Sequence, residues 1–140
     1  MSKVGETMRV ASLFAGIGGI CLGFKQAGFD IVWANERDAA ACKTYRFNFG
    51  NSYLQEGDIR NIQAKNIPDF DVLTAGFPCQ SFSTAGFKKG FRDPRGNLFF
   101  EIIRIVEEKR PRIILLENVE NIVEHDNQKT FLTIFNSLSE

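Results

Sequence analysis

The chain is 140 residues long, 44% hydrophobic and 24% charged, which suits one soluble globular domain with its own core and leaves little room for two. Seventeen basic residues balance seventeen acidic ones, so charge alone announces no nucleic-acid binder, and any such binding must rest on a local patch. Three widely spaced cysteines (Cys21, Cys42, Cys79) argue against a disulfide framework or a CxxC zinc pair, and a lone histidine, His125, argues against a histidine-based metal site or a Ser-His-Asp triad; no metal is expected.

The N-terminus, MSKVGETMRV, lacks the apolar stretch of a signal peptide, and no apolar run approaches the roughly 20 residues that cross a bilayer. The expected compartment is therefore the cytoplasm, with no membrane partner. Met8 to Phe14 (MRVASLF) reads as a buried strand ending in glycines. From Ile17 the apolar positions Ile20, Cys21, Phe24 and Ala27 fall at helical spacing, with Gly28 as the C-terminal stop. Ile31 to Ala34 (IVWA) is the next strand, and Asp38 opens a helix carrying Ala41, Cys42, Tyr45 and Phe49. Tyr53 to Gln55 is a weaker strand, and Phe70 to Ala75 (FDVLTA) a stronger one. Asn97 to Arg110 predicts a helix that Pro111 stops, followed by the wholly apolar strand Ile113 to Leu116, expected in the middle of a parallel sheet. Thr130 to Leu138 predicts a last helix.

This alternation predicts an α/β fold with a mostly parallel, Rossmann-like sheet and helices on both faces. Ligands in such sheets bind beyond the carboxyl ends of the strands. Each strand end therefore bears inspection. After the first strand comes Phe14-Ala15-Gly16-Ile17-Gly18-Gly19, either a site where a ligand approaches the backbone closely or a tight strand-to-helix turn. It is not the full GxGxxG fingerprint, since Cys21 stands at the third glycine position, so a cofactor without a pyrophosphate suits it better. After the second strand, Glu36 and Asp38 either both cap the following helix or divide the roles, Asp38 capping it and Glu36, the better placed, holding ribose hydroxyls. After the third, Asp58 in Gly57-Asp58-Ile59 either accepts from an exocyclic amine or serves the turn.

The fourth strand leads into Gly-Phe-Pro-Cys-Gln-Ser-Phe-Ser (76–83). Its Cys79 is either an inert core thiol, the commonest fate of a free cysteine, or a reactive one beyond a strand end. Cys21 and Cys42 lie within helical apolar patterns and read as core. After the fifth strand, Glu117 follows a fully apolar run, which predicts partial desolvation and a raised pKa suited to a proton donor; a capping acid is the alternative.

Taken together, FAGIGG (14–19), NERD (35–38), GDI (57–59), GFPCQSFS (76–83), RGNLFFEIIRI (95–105) and ENV (117–119) resemble the cytosine-5 DNA methyltransferases of the bacterial restriction-modification type. The resemblance runs along nearly the whole chain and implies a class I S-adenosylmethionine-dependent fold with a seven-stranded mixed sheet. It implies that Phe14, Gly16, Gly18 and Gly19 line the methionine part of S-adenosylmethionine and that Glu36 holds its ribose. Asp58 and Ile59 would meet the adenine, with Pro78 and Leu98 completing the pocket. Cys79 would be the nucleophile toward C6 of a cytosine flipped out of double-stranded DNA, and Glu117 the acid at N3. The stretch 84–95 holds Lys88, Lys89, Arg92 and Arg95 against Asp93, and reads either as a solvated basic loop or as a DNA contact, with Ser83, Lys89 and Arg95 as the DNA-binding candidates.

The chain departs from that family pattern at Arg37, where an aromatic that packs on adenine is common, and at Ala85, in a stretch that often carries serine. It also stops before the family's later motifs, its target-recognition domain and its last strands. Residues 1–140 are thus expected to be the N-terminal part of the catalytic, cofactor-binding domain, with an open sheet edge and a complementing C-terminal polypeptide as partner. An RNA-directed (tRNA) cytosine-5 methyltransferase relative and a non-catalytic binding module are the other classes consistent with these motifs.

Overall fold

A computed structural model gives the fold, and its described residues are 5, 7–77 and 98–139. The first apolar run forms strand β1, Arg9–Leu13, with every residue after Arg9 buried. Its pleat sends Val10 into one layer of the core and Ala11 and Leu13 into the other, as a strand covered on both faces requires. Helix α1, Gly19–Gln26, follows, and Gly28, at φ +87°, lets the chain turn beyond its end. Strand β2 is Asp30–Glu36, and helix α2 is Ala39–Phe49, where the Asp38 carboxylate accepts from the Ala41 amide at 2.7 Å. The expected cap is therefore in place.

The short strand β3, Leu54–Glu56, gives way to two single turns of 3-10 helix, Ile59–Asn61 and Ala64–Asn66. Strand β4, Val72–Gly76, helix α3, Leu98–Lys109, strand β5, Ile113–Glu117, a 3-10 turn at Glu120–Ile122 and helix α4, Lys129–Ser139, complete the described chain.

The strands form one five-stranded sheet in the order β3-β2-β1-β4-β5, every neighbouring pair parallel. The crossover helices divide between its faces, which confirms the expected α/β architecture. Cys21 of α1 and Cys42 and Tyr45 of α2 pack with Val10, Ile31, Ala34 and Val72 on one side. Phe99, Ile102 and Ile105 of α3 and Ile134 of α4 pack with Ala11, Leu13, Leu73 and Ala75 on the other. Cys21 and Cys42 are 1% and 0% exposed, so both are core thiols, as their helical spacing predicts.

One expectation is corrected here. The apolar strand Ile113–Glu117 is not central: it is the last strand on its side of the sheet among the described residues, and its residues alternate between exposed and half-buried. Ile113 and Leu115 remain 49% and 45% exposed. Among the described residues the sheet has five strands, all parallel, against the seven of the whole family sheet that the resemblance implies, and β5 ends it on an open edge.

Candidate active site at the strand ends

The sheet reverses its winding between β1 and β4: from β1 the chain steps to β2 on one side, and β4 lies on the other. Such a switch point opens a crevice beyond the carboxyl ends of the two strands, because their connections leave in opposite directions. The glycine turn follows β1 and the 76–83 motif follows β4. The topology therefore sets the glycine turn beside Gly76 and Phe77, where the second motif begins.

The turn after β1 is held in an unusual backbone conformation. Phe14 has φ +54°, Gly16 φ +56° and Gly18 φ +97°, the left-handed region that a residue with a Cβ such as Phe14 enters only at a cost. Gly18 is needed for packing: a Cβ there would lie 2.3 Å from Phe49 Cε2 and 3.0 Å from Tyr45 Cδ2 of α2. Gly16 differs. Nothing lies within 4 Å of the position its Cβ would take, so its face of the turn is open to a ligand. The same open space surrounds Gly19, the first residue of α1.

Glu36, the last residue of β2, reaches across to this turn. Its Oε2 accepts from the Gly16 amide at 2.9 Å, and its Oε1 accepts from the amides of Arg37 and Asp38, each at 2.8 Å. A carboxylate offers about four acceptor sites, so three amides leave one for a hydroxyl. A pair of ribose hydroxyls needs one of these amides to give way.

The acid after β3 is engaged differently. Asp58 caps the turn at Ile59–Asn61, its Oδ1 accepting from the Arg60 amide at 3.0 Å, and it also pairs with the Arg60 guanidinium. The hydrogen bond from the Arg60 side chain, together with the charges of Arg60 and Arg37, holds its carboxyl at about 2. Arg37 Nη1 lies 3.8 Å away. An exocyclic amine can reach Asp58 only where Arg60 yields an acceptor site. Ile59 is 2% exposed and packs its side chain in the core, which leaves its backbone as the part that can meet a ligand at this turn. Leu98, the first residue of α3, is half-buried against the same cluster.

At the other side of the crevice, the β4–β5 register pairs Gly76 with Glu117. A Cβ on Gly76 would lie 3.0 Å from Glu117 Oε2, so the glycine leaves room for the carboxylate above it. Glu117 is exposed, which corrects the expectation of partial desolvation: it ends an open edge strand, and an apolar run in sequence does not bury the acid that follows it there. Asn118 Nδ2 donates to the Phe77 carbonyl at 2.6 Å, fixing the residue that immediately precedes the motif proline. Pro78, Cys79, Ser83, Lys89 and Arg95 lie outside the described residues, as do Lys88 and Arg92.

Three positioning side chains carry no local signal that singles them out. Asn35, 1% exposed, donates through Nδ2 to the carbonyls of Gln55 and Gly57, both at 2.9 Å, and so ties the ends of β2 and β3 together. Asn118 does the same for β4 and β5. Arg104 of α3 donates to the Ile59 carbonyl at 3.1 Å and pairs with Glu101 at 2.6 Å. Only the opposite charges at i and i+3 on a predicted helix hint at this last contact.

Among the described residues there is no group of three or more His, Cys, Asp or Glu that could hold a metal ion, and no helix long and apolar enough to cross a membrane. A ligand carrying a hydroxylated sugar and an amine-bearing base matches the open backbone at Gly16, the remaining acceptor site of Glu36 and the carboxylate of Asp58.

Comparison with known proteins gives the family and the fold it is similar to. The Type II methyltransferase M.Bsp6I of Bacillus sp. (strain RFL6) is 55% identical over 133 residues, covering 94% of this chain and 42% of that protein. M.HhaI of Haemophilus parahaemolyticus is 47% identical over 133 residues, covering 95% of this chain and 40% of that one. Among solved structures, a putative DNA modification methyltransferase encoded within a prophage of E. coli superposes with a TM-score of 0.74 at 31% identity, covering 95% of this chain and 38% of that chain. S. pombe Dnmt2 methyltransferase superposes with a TM-score of 0.71 at 28% identity, covering 92% and 41%. The chain thus spans about two-fifths of the length of these relatives. Residues 8–140 match the family model, and the chain belongs to the C-5 cytosine-specific DNA methylases.

Proposed function

We propose that this chain is the catalytic, cofactor-binding part of an enzyme that methylates C5 of a cytosine in DNA, and that it acts with a complementing C-terminal polypeptide. The observation that supports this reading most is the switch point. It brings the glycine turn and Glu36 to one side of a crevice, and the ends of β4 and β5, with Glu117 beside Gly76, to the other. Family membership supplies the reaction class.

S-adenosylmethionine, when bound, supplies an electrophilic methyl group. The chain's own residues do the rest. The open backbone at Gly16 admits the cofactor's methionine end, Glu36 takes a ribose hydroxyl, and Asp58 faces the base. Cytosine C5 is a poor nucleophile, so the Cys79 thiolate adds to C6 of the flipped base. The S–C6 bond forms as the C5–C6 π bond breaks, and the electron pair is delocalised toward N3, where Glu117 donates a proton or a hydrogen bond. The addition makes C5 nucleophilic, the carbon that would accept the methyl group that S-adenosylmethionine would supply. Return of the N3 proton to Glu117 and loss of the C5 proton to water restore the ring double bonds, and the S–C6 bond breaks to release the Cys79 thiolate. Lys89, Arg95 and Ser83 contact the DNA backbone and the target strand in this reading.

The test is methyl transfer to duplex DNA by this chain together with a C-terminal polypeptide taken from a relative, with the product digested and resolved by chromatography. The expected product is 5-methylcytosine. Cys79→Ser abolishes it, and Glu117→Gln lowers the rate about 100- to 10,000-fold, the range for losing a positioned acid. N4-methylcytosine, N6-methyladenine or undiminished turnover by Cys79→Ser contradicts the proposal.

A further inference from the structure

We infer that Arg104 is a positioning residue: from helix α3 it holds the Gly57–Ile59 turn, and hence Asp58, in place for the adenine end of the cofactor. The inference rests on the cofactor reading above and adds to it a residue that touches neither cofactor nor substrate.

Arg104 stands in the second turn of α3, on the side that faces the turns after β3. Its Nη2 donates to the Ile59 carbonyl at 3.1 Å across 45 residues of sequence, in a half-buried setting. Its Nε donates to Glu101 Oε2 at 2.8 Å, which fixes the guanidinium plane. The two side chains are 35% and 21% exposed, so the pair is partly shielded from water and held in one geometry. Glu101 also acts electrostatically on Arg60, which in turn pairs with Asp58. Signs alternate from the turn to the helix and back: Asp58, Arg60, Glu101, Arg104, then the Ile59 carbonyl. The Ile59 side chain beneath is locked in the core, so the backbone of this turn is held from both sides.

The geometry explains why a helix should reach this turn at all. The turn after β3 is short, its strand has only three residues, and β3 is the outermost strand on its side. Few ladder hydrogen bonds anchor it. Helix α3 begins at Leu98, directly after the segment that carries Cys79 and the basic stretch, so Arg104 also joins the cofactor acid to the element that leads out of that segment.

Amide hydrogen exchange in the free chain and binding of S-adenosylhomocysteine, measured side by side, test this. The amides to follow are Asn61 and Ile62, which donate to the carbonyls of Asp58 and Ile59. Arg104→Met is expected to speed their exchange and to weaken S-adenosylhomocysteine binding, each about tenfold, the size of one lost hydrogen bond from a charged group. Exchange in α2 should stay at the wild-type rate. Arg104→Lys, which keeps the charge and one donor, is expected to recover part of both effects. Unchanged exchange at Asn61 and Ile62 in Arg104→Met overturns the inference, as does an equal acceleration throughout α2, which marks a merely structural role. Failure of the wild-type chain to bind S-adenosylhomocysteine is a separate outcome: it contradicts the cofactor reading, and the exchange result still decides the positioning role.

Discussion

Glu36 gathers three backbone amides from two different connections, and that single carboxylate links the glycine turn to the end of β2. The turn itself stores strain at Phe14 and depends on the absence of a side chain at Gly18. Gly18→Ala must both enter φ +97° and displace the Phe49 ring, so it is expected to destabilise the chain by about 1–3 kcal/mol, read from urea unfolding. A second residue-scale expectation concerns acid. The Asp58 carboxyl is held at about 2, against 3.8 for a free carboxyl. A lowered folded-state pKa means stability that is present above pH 3.8 and drains away as pH falls toward 2. Unfolding midpoints measured across that window should fall less steeply in Asp58→Asn than in the wild type; equal slopes would show that the Arg60 pair contributes nothing to folding.

Elements formed by local rules were legible in the sequence. The helical spacing of Cys21 and Cys42, the Asp38 cap and the strand-to-glycine turn all depend on residues within a few positions of one another. What escaped depends on distance along the chain. The bond from Asn118 to Phe77 spans 41 residues, that from Arg104 to Ile59 spans 45, and neither has a pattern that a linear reading picks out. The place of β5 in the sheet escaped for a related reason: four consecutive apolar residues look alike whether the strand has one neighbour or two. The two roles differ energetically. Ile102 of α3 is fully buried, so Ile102→Ala should cost about 2–5 kcal/mol. Leu115 is 45% exposed on the open edge, so Leu115→Thr should cost under about 1 kcal/mol in the isolated chain. Thermal melts of the two variants separate these outcomes; a large loss at Leu115 would mean that β5 is covered.

At the scale of the whole molecule, the described strand ends are arranged around a switch point whose glycine-turn side is well anchored and whose β5 edge is open. Glu36, Asn35 and Arg104 brace the ends of β2 and β3, whereas Glu117 sits exposed at the end of an edge strand. In the proposed function Glu117 protonates a base, which works best where water is excluded, so a complementing polypeptide over this edge would have a chemical role as well as a structural one. Exposed Ile113, Leu115, Val119, Val123, Phe131, Leu132 and Phe135 on the strand edge and the elements after it give such a polypeptide apolar surface to cover. M.Bsp6I and M.HhaI are more than twice the length of this chain. The measurement that tests this account most directly is covalent trapping on duplex DNA containing 5-fluorocytosine, with S-adenosylmethionine, run with and without a complementing C-terminal polypeptide. The account predicts an adduct that forms with the complement, is faint or missing without it, and is lost in Cys79→Ser. No adduct under either condition, or one that survives Cys79→Ser, would contradict it.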